Sequence, residues 1–176
     1  MMEPETYTYN QMPSTPMGRL WIAVGPRGLV MVGWEAAEGT FLRQLERLLK
    51  DAGRAFSIQR DDASTAQAVQ EMEEYLLGQR QQFTVPVDWD ILPDFQRQAL
   101  KATYEIPFGQ TSTYGEIASQ IGHPGAARAV GRAEATNPLP LILPCHRVVG
   151  SDGKLHGYGG PGGLEMKRWL LDLERK

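Results

Sequence analysis

The chain has 176 residues and a net charge of −3, with 41% hydrophobic and 22% charged residues, which suits a packed globular protein of one large domain or two small ones. No apolar run approaches the ~20 residues that cross a bilayer, and the first ten residues lack the pattern of a secretory signal peptide. One cysteine and three histidines exclude an internal disulfide and leave little capacity for a metal site. We therefore expect a soluble, cytoplasmic protein that has no metal, no cofactor and no membrane partner.

The first half of the chain has the pattern of a small α/β unit. Two β-prone runs, residues 20–24 and 29–32, flank Gly25-Pro26-Arg27-Gly28 and predict a hairpin. Apolar residues between Phe41 and Leu49 recur at helical spacing and predict a helix with one buried face. This half contains no constellation of nucleophile, base or ligand, so we expect it to act as a scaffold.

Two further elements are predicted before residue 90. Ser64 followed by Gln67 resembles a capping box and predicts a helix that starts there and ends at Gly78. Residues 83–87 have strand character, but Pro86 restricts such a strand to the edge of a sheet.

A domain boundary is predicted between residues 1–90 and 91–176. The first segment carries a net charge of −5 and the second a net charge of +2. Only the surface that meets phosphates has to be basic in a DNA-binding protein. The charge distribution therefore permits DNA binding by the second segment without establishing it.

The second segment begins with helical patterns. Asp94 can cap a first helix. Thr113 followed by Glu116 is a capping-box pattern and predicts a second helix that ends at Gly122. A third helix, residues 126–133, follows a turn that contains Gly and Pro, and the last two helices outline a helix-turn-helix.

The third helix is unusually thin, because its residues are mostly Ala and Gly apart from Arg128 and Arg132. A thin helix can pack tightly against a neighbour. It can also enter the DNA minor groove, about 6 Å wide, with its arginines at phosphates or the base stack. Few of its side chains could read base edges, so such binding would have little sequence preference.

Cys145 lies in the most informative stretch of the chain. A single cysteine can be a buried, unreactive side chain, but this one follows a proline-rich apolar segment and precedes His146 and Arg147, which could assist its deprotonation. Neighbours in an extended chain point to opposite faces, so His146 would need a water molecule or a helical turn to act on the sulfur. The residue types also permit a hydrolase with a Cys-His dyad, although no oxyanion-hole motif accompanies them.

The segment Pro144-Cys145-His146-Arg147-Val148 resembles the acceptor-site signature of the O6-alkylguanine-DNA alkyltransferases (methylated-DNA–protein-cysteine methyltransferases). The similarity extends from about Phe95 to Glu174. Further motifs occur in the family's order and spacing: Ile106-Pro107-Phe108-Gly109-Gln110-Thr111, Thr113-Tyr114-Gly115-Glu116-Ile117-Ala118, Ala126-Ala127-Arg128-Ala129-Val130-Gly131 and Asn137-Pro138. The resemblance implies an α+β fold in which a ribonuclease-H-like α/β domain precedes a mainly helical winged helix-turn-helix DNA-binding domain.

The resemblance also implies a reaction. The thiolate of Cys145 would accept the alkyl group from O6-alkylguanine, and from O4-alkylthymine, in an in-line displacement that consumes the protein in one turnover. His146 would act as the base through water, oriented by Glu174. Tyr114 would donate a hydrogen bond to the leaving guanine, and Asn137 would hold the turn that presents the cysteine.

The same resemblance implies how the substrate is bound. The partner would be double-stranded DNA that contains O6-alkylguanine, contacted in the minor groove by a protein that is a monomer in solution. Arg128 would fill the space left by a flipped nucleotide. The rest of the DNA-binding surface would be formed by Ala126, Ala127, Gly131 and Arg132, and the base pocket by Val148, Tyr158, Gly159 and Gly160.

The chain departs from the family pattern in its glycine-rich segment. Residues 159–163 form a longer loop than is usual in the family, so the range of alkyl groups that fit stays open. Gly159 stands where some members have Ser, which leaves a backbone N–H but no hydroxyl. Members with an N-terminal zinc site use cysteines that this chain lacks.

Two further functions stay open at this point. Alkyltransferase-like proteins bind the lesion without transferring its alkyl group, but they lack the acceptor cysteine that this chain has at Cys145. A DNA-binding regulator could use the same helix-turn-helix, but a helix rich in Ala and Gly offers few groups that read bases.

Overall fold

A computed structural model of the protein describes residues 3–34, 36–160 and 162–175. The chain divides into two units, Met1–Leu92 and Pro93–Lys176. None of the helices in the described part of the chain has the length and apolar character needed to cross a membrane.

The first unit is built on a four-stranded sheet. Its strands in chain order are β1 (Glu5–Thr15), β2 (Gly18–Gly25), β3 (Gly28–Gly33) and β4 (Phe56–Arg60), and their spatial order is β3-β2-β1-β4. Strands β2 and β3 pair antiparallel with Gly25 opposite Gly28, which confirms the predicted hairpin. Strand β1 pairs antiparallel with β2 and parallel with β4.

Strands β1 and β4 are not among the elements predicted from the sequence. Strand β4 has only five residues, and its apolar Phe56 and Ile58 alternate with polar residues but are only half-buried, so the strand signal is short and weak. Its parallel partner lies far earlier in the chain, and a parallel pair needs a long crossover connection. The pairing is therefore fixed by the tertiary structure and not by the local sequence.

Helices α1 (Glu38–Asp51) and α2 (Asp62–Leu76) complete the first unit. The helix predicted from the apolar spacing is α1, and its residues Phe41, Leu45 and Leu49 are buried. They recur every four residues and thus lie on one face.

The predicted start of α2 at Ser64 is wrong. Asp61 is the N-cap, and its carboxylate accepts a hydrogen bond from the backbone N–H of Ala63. Asp is as good an N-cap as Ser, and here it comes three residues earlier. Gln67 does not reach back to the helix start, because its amide donates to Glu71 on the next turn.

The predicted strand at residues 83–87 is also wrong, because only Val87 forms a bridge, with Leu29 of β3. Upstream, the backbone N–H groups of Thr84 and Val85 donate to the buried carboxylate of Glu71. A side chain thus satisfies donors that would otherwise need a neighbouring strand.

The second unit is mainly helical. Its elements are α3 (Asp94–Tyr104), β5 (Ser112–Thr113), α4 (Tyr114–Gln120), α5 (Ala127–Ala135), β6 (Val148–Val149) and α6 (Leu164–Glu174), and β5 pairs parallel with β6. Small and aliphatic side chains from α3, α4 and α5 form its core together with Ile106 and Val148. Together with the first unit, this arrangement gives the predicted α+β class.

The helix-turn-helix consists of α4, the turn at residues 121–126, and α5. The predicted capping box is present at α4: Thr113 accepts a hydrogen bond from the backbone N–H of Glu116, whose carboxylate accepts one from the backbone N–H of Thr113. Asp94, by contrast, is the first residue of α3 and not its cap. Pro93 occupies the cap position, and Asp94 pairs with Arg97.

Candidate active site

Cys145 begins a single turn of 3-10 helix, Cys145–Arg147. Residues 139–150 around it are all buried, and the thiol-bearing residue itself is only 8% exposed. The turn is closed by a 2.8 Å hydrogen bond from the backbone N–H of Arg147 to the carbonyl of Pro144, and the N–H of Cys145 donates to the carbonyl of Leu143 just before it. The sequence alone left open how neighbouring residues 145 and 146 could cooperate, and the structure places both in a helical turn.

Asn137 braces the loop that leads to the cysteine. Its amide nitrogen donates to the carbonyl of Leu143 at 2.8 Å, and its amide oxygen accepts from the N–H of Leu139 at 2.9 Å. Between these two points, Leu141 has a φ of 74°, a conformation that costs a non-glycine residue about 1–3 kcal/mol. The two hydrogen bonds hold a strained loop in place directly before the cysteine.

We expect Asn137→Ala to lower the free energy of unfolding by about 2 kcal/mol, because the N–H of Leu139 would lose its partner and the buried carbonyl of Leu143 would keep only the backbone N–H of Cys145. Urea unfolding measures the change. Gln70→Ala removes a similar amide from an exposed i,i+4 hydrogen bond with Glu74 and should have little effect. Equal losses in the two variants would contradict the bracing role.

His146 and Glu174 form a buried hydrogen bond. The Nε2 of His146 lies 2.7 Å from Oε1 of Glu174, and both side chains are fully buried. Arg147 donates hydrogen bonds to the same carboxylate from Nε and Nη2, each at 2.9 Å. A carboxylate held by arginine is ionised and only accepts hydrogen bonds. The imidazole therefore carries its proton on Nε2, and Nδ1 has the lone pair.

The acid of this pair is held in place from two sides. Gly109 donates its N–H to Oε2 of Glu174 at 3.1 Å, and Arg147 also donates from Nη1 to the carbonyl of Ile106. Gly109 has a φ of +77°, and a Cβ there would lie 2.9 Å from the backbone oxygen of Glu174. Glycine is therefore required in this turn both for its φ and for the close approach of α6.

The charge states in the turn suit a proton transfer. Burial lowers the pKa of His146 below its usual value although Glu174 opposes this shift, so the imidazole is neutral at pH 7 and can accept a proton. Burial raises the pKa of Cys145 to about 12, and the charge of Glu134 raises it further. The resting sulfur is therefore a thiol. Its proton has to leave during the reaction.

Lys167 on α6 connects the cysteine turn to Tyr114 at the start of α4. Lys167 is fully buried, and its ammonium donates to the carbonyls of Val148 and His156 at 2.7 and 2.8 Å and to the Tyr114 hydroxyl at 3.4 Å. Three donors thus meet three acceptors. Tyr114 in turn donates to the carbonyl of His156 at 3.2 Å. Burial raises the pKa of Tyr114 to about 12, so its hydroxyl stays protonated.

Sequence patterns do not single out Lys167, since a lysine in a charged helix is normally exposed. One signal does exist. Residues 167, 170, 171 and 174 have the spacing of a single helical face, and Leu170 and Leu171 are apolar. The same spacing places Glu174 on that buried face.

The predicted base-pocket residues differ in their exposure. Val148 is fully buried, Tyr158 and Gly160 are half-buried, and Gly159 is exposed. A Cβ at Gly160 would lie 2.4 Å from the ring of Tyr158, so glycine allows the ring to fold over the backbone. Burial raises the pKa of Tyr158, and the charge that Cys145 would carry as a thiolate adds to this, so the phenol stays protonated. Of the longer loop, Pro161 lies outside the described residues.

The predicted DNA-binding residues occupy two sides of α5. Arg128 and Arg132 are exposed, whereas Ala126, Ala127 and Gly131 are half-buried. A Cβ at Gly131 would be 3.8 Å from the ring of Tyr114, an ordinary contact. The small residues therefore allow close helix packing, and the two arginines form the charged outer surface of the helix.

Both halves of the chain are similar to known proteins. Residues 94–176 match the family model described as 6-O-methylguanine DNA methyltransferase, DNA binding domain, and residues 6–89 match the corresponding ribonuclease-like domain. The chain is 43% identical over 150 residues to the methylated-DNA–protein-cysteine methyltransferase of Mycobacterium tuberculosis H37Rv, which covers 85% of this chain and 88% of that protein. It is 42% identical over 160 residues to the inducible methylated-DNA–protein-cysteine methyltransferase of Bacillus subtilis, with 89% and 84% covered.

Solved structures give the same result. The crystal structure of the Mycobacterium tuberculosis O6-methylguanine methyltransferase has a TM-score of 0.75 at 37% identity and covers 96% of this chain and 93% of its own. A crystal structure described as Mycobacterium tuberculosis OGT in complex with DNA has a TM-score of 0.74 at 37% identity, with 97% and 92% covered. These matches confirm the predicted combination of a ribonuclease-like domain with a DNA-binding domain. The chain belongs to the 6-O-methylguanine DNA methyltransferase family.

Proposed function

We propose that this protein repairs DNA by irreversible, single-turnover transfer of the alkyl group from O6-alkylguanine, and from O4-alkylthymine, to Cys145. The observation that carries the proposal is the turn in which the sole cysteine of the chain adjoins a neutral, buried His146 fixed by Glu174 at 2.7 Å. A nucleophile, a base and a group that orients the base are the parts that covalent transfer requires.

The proposed step moves one alkyl group and one proton. The thiol of Cys145 gives its proton through water to Nδ1 of His146, and the sulfur bonds to the alkyl carbon as the bond from that carbon to O6 breaks. The electron pair of the broken bond stays on the guanine, which takes up one proton from water and leaves as the normal base, and His146 returns the proton of the thiol to water. Tyr114, protonated and held by Lys167, donates a hydrogen bond to the base as its negative charge develops.

The product explains why the protein would act once. The cysteine becomes a thioether, which has no easily ionised leaving group, so no step within the site restores the thiol. Asn137 keeps the loop before Cys145 in position through its hydrogen bonds to Leu139 and Leu143. This positioning lowers the entropic cost of bringing the sulfur into an attacking geometry.

We propose that the substrate is duplex DNA, bound in the minor groove by a monomer with little sequence preference. The support is the outer face of α5, where Arg128 and Arg132 are exposed on a helix of otherwise small residues, and the DNA complex of the similar mycobacterial protein. Chemistry at O6 requires the nucleotide to leave the base stack. Arg128 would occupy the space that it vacates, and Val148, Tyr158, Gly159 and Gly160 would hold the flipped base.

We expect Arg128→Ala to slow repair of O6-methylguanine in duplex DNA by at least tenfold and to leave the reaction with free O6-benzylguanine nearly unchanged, because only the duplex substrate pays the unstacking energy of a few kcal/mol. Single-turnover rates on both substrates measure this. Arg132→Ala is the matched control, which should weaken DNA binding in a salt-dependent way without a specific effect on flipping. Equal slowing on both substrates would refute the role of Arg128.

The stoichiometry of lesion removal tests the proposed function. Excess duplex with O6-methylguanine should lose one methyl group per protein molecule and then stop, with a plateau proportional to the protein concentration. A lesion-binding protein without transfer would retard the duplex in a gel and leave every methyl group on the DNA. Continued turnover after one equivalent would equally overturn the proposal.

We also propose that the two parts of the chain have different roles and that the protein is cytoplasmic. Residues 1–90 would act as the scaffold and residues 91–176 would carry the chemistry, since every side chain of the proposed site belongs to the second segment. A reducing compartment supports the reaction because oxidation of Cys145 would block the attacking sulfur.

A further inference from the structure

Glu134 is a buried acid that the proposed chemistry does not use. It lies on α5 and is only 7% exposed. Its Oε1 is 2.6 Å from the hydroxyl oxygen of Thr103 on α3. Its Oε2 is buried and has no hydrogen-bond partner within the described residues. A carboxylate in such a place would be costly, because burying a charge requires both a counter-charge and full hydrogen bonding.

Counting the available protons indicates which form of Glu134 is present. The hydroxyl of Thr103 also lies 3.0 Å from the carbonyl of Ala99, and that carbonyl can only accept. Thr103 has a single hydroxyl proton to donate. If Glu134 is ionised, two acceptors compete for this proton. If Glu134 is a neutral acid, it donates to Thr103, which donates to Ala99, and each contact contains one proton.

The titratable groups whose charges interact with Glu134 belong to the proposed active site. They are Lys167 on α6, Tyr114 at the start of α4 and Cys145 in the 3-10 turn, whereas the group that α3 contributes is the uncharged Thr103. Glu134 is also joined to the cysteine loop through Asn137, whose backbone N–H donates to the carbonyl of Glu134 at 3.2 Å and whose side chain donates to the carbonyl of Leu143. Burial raises the pKa of Glu134 to about 7, although the charge of Lys167 and a hydrogen bond that Thr103 could donate to the ionised form oppose this. An ionised Glu134 would in turn raise the pKa of Cys145.

We propose that Glu134 is a positioning residue for the charge of the acceptor site: as a neutral acid bonded to Thr103 it leaves the Cys145 sulfur free to become an anion, and its ionisation opposes that anion. The inference rests on Cys145 being the acceptor of the proposed function. It predicts that the reactivity of the thiol rises less steeply above neutral pH than it would without this acid.

The test uses Glu134→Gln in the full chain, since the amide keeps the shape of the neutral acid and cannot ionise. Alkylation of Cys145 by iodoacetamide, followed by mass spectrometry from pH 6 to 9, reports the thiol directly because the chain has one cysteine. At pH 6 the variant should react like the unmodified protein. At pH 9 it should react about three- to tenfold faster, since a tenfold change corresponds to one pKa unit. Glu165→Gln on the exposed side of α6 should change neither rate.

Two results would overturn the inference. One is an equal rate at pH 9 in the two proteins; the other is a change of the same size at every pH, which a purely structural role would give. A second measurement guards against a misfolded variant. The raised pKa of Glu134 contributes a loss of stability as the pH rises from about 4.5 to 7, so Glu134→Gln should gain stability relative to the wild type over this range in thermal unfolding. A stability difference between the two proteins that does not change over this range would also contradict the inference.

The same assays separate failure of this inference from failure of the proposed function. Iodoacetamide reports the charge around the sulfur without any DNA. If the pH difference appears but O6-methylguanine is never demethylated, Glu134 acts as inferred and the proposed function is wrong.

Discussion

Glu174→Gln should lower the free energy of unfolding by about 3–5 kcal/mol, since it leaves Arg147 as a buried cation without its counter-charge. The carboxylate accepts hydrogen bonds from Arg147, His146 and Gly109 at distances of 2.7–3.2 Å. An amide can accept only at its oxygen, and its nitrogen would point donors at other donors. Urea unfolding of the variant and the unmodified protein measures the difference.

A matched variant on the same helix makes this prediction specific. Asp172→Asn removes a carboxylate whose pairing with Arg175 at 3.4 Å is solvent-exposed on both sides, and exposed pairs contribute little. We expect its unfolding midpoint to stay within error of the unmodified protein. Losses of similar size in Glu174→Gln and Asp172→Asn would show that the buried cluster does not hold α6 against the cysteine turn.

Glu174→Gln should also slow alkyl transfer by about 10²–10⁴-fold, the range that general-base catalysis contributes. The imidazole of His146 would no longer have an ionised acceptor at Nε2 to stabilise it once Nδ1 takes the proton. The rate should be measured at a temperature where the variant is fully folded. Unchanged transfer would mean that the proton of Cys145 leaves by another route.

Cys145→Ser should abolish methyl transfer and keep lesion binding. A hydroxyl ionises far less readily than a thiol and is a weaker nucleophile towards an alkyl carbon, and no second cysteine in the chain can replace it. We expect no detectable loss of methyl from a duplex with O6-methylguanine after prolonged incubation. The binding constant for that duplex should change by less than about threefold, because the substitution replaces one atom in a buried turn. Methyl loss in the variant would place the acceptor elsewhere.

Elements fixed by short-range patterns are the ones that the sequence predicts well. The β2–β3 hairpin depends on a four-residue turn, and the start of α4 on the capping box between Thr113 and Glu116. The start of α2 is predicted wrongly because two side chains, Asp61 and Ser64, both suit the cap position, and the sequence pattern does not decide between them. Strand β4 is not predicted because its partner β1 comes from a distant part of the chain.

The residues of the candidate site likewise divide into those that the sequence predicts and those that only the structure shows. Cys145 and His146 stand out as adjacent reactive residues, and the family resemblance adds Glu174, Tyr114 and Asn137. Lys167 and Glu134 do not stand out, because Lys and Glu are almost never fully buried unless paired and their burial depends on how α5 and α6 pack. The charges of both nevertheless act on the pKa of Cys145, which Glu134 raises and Lys167 lowers.

The most direct measurement is the mass of the peptide that contains Cys145 after the protein has met a duplex with O6-methylguanine. We expect this peptide to gain one methyl group, no other peptide to gain one, and the thiol to be no longer titratable. An unmodified peptide with a reactive thiol, recovered from protein that still binds the lesion, would contradict this expectation.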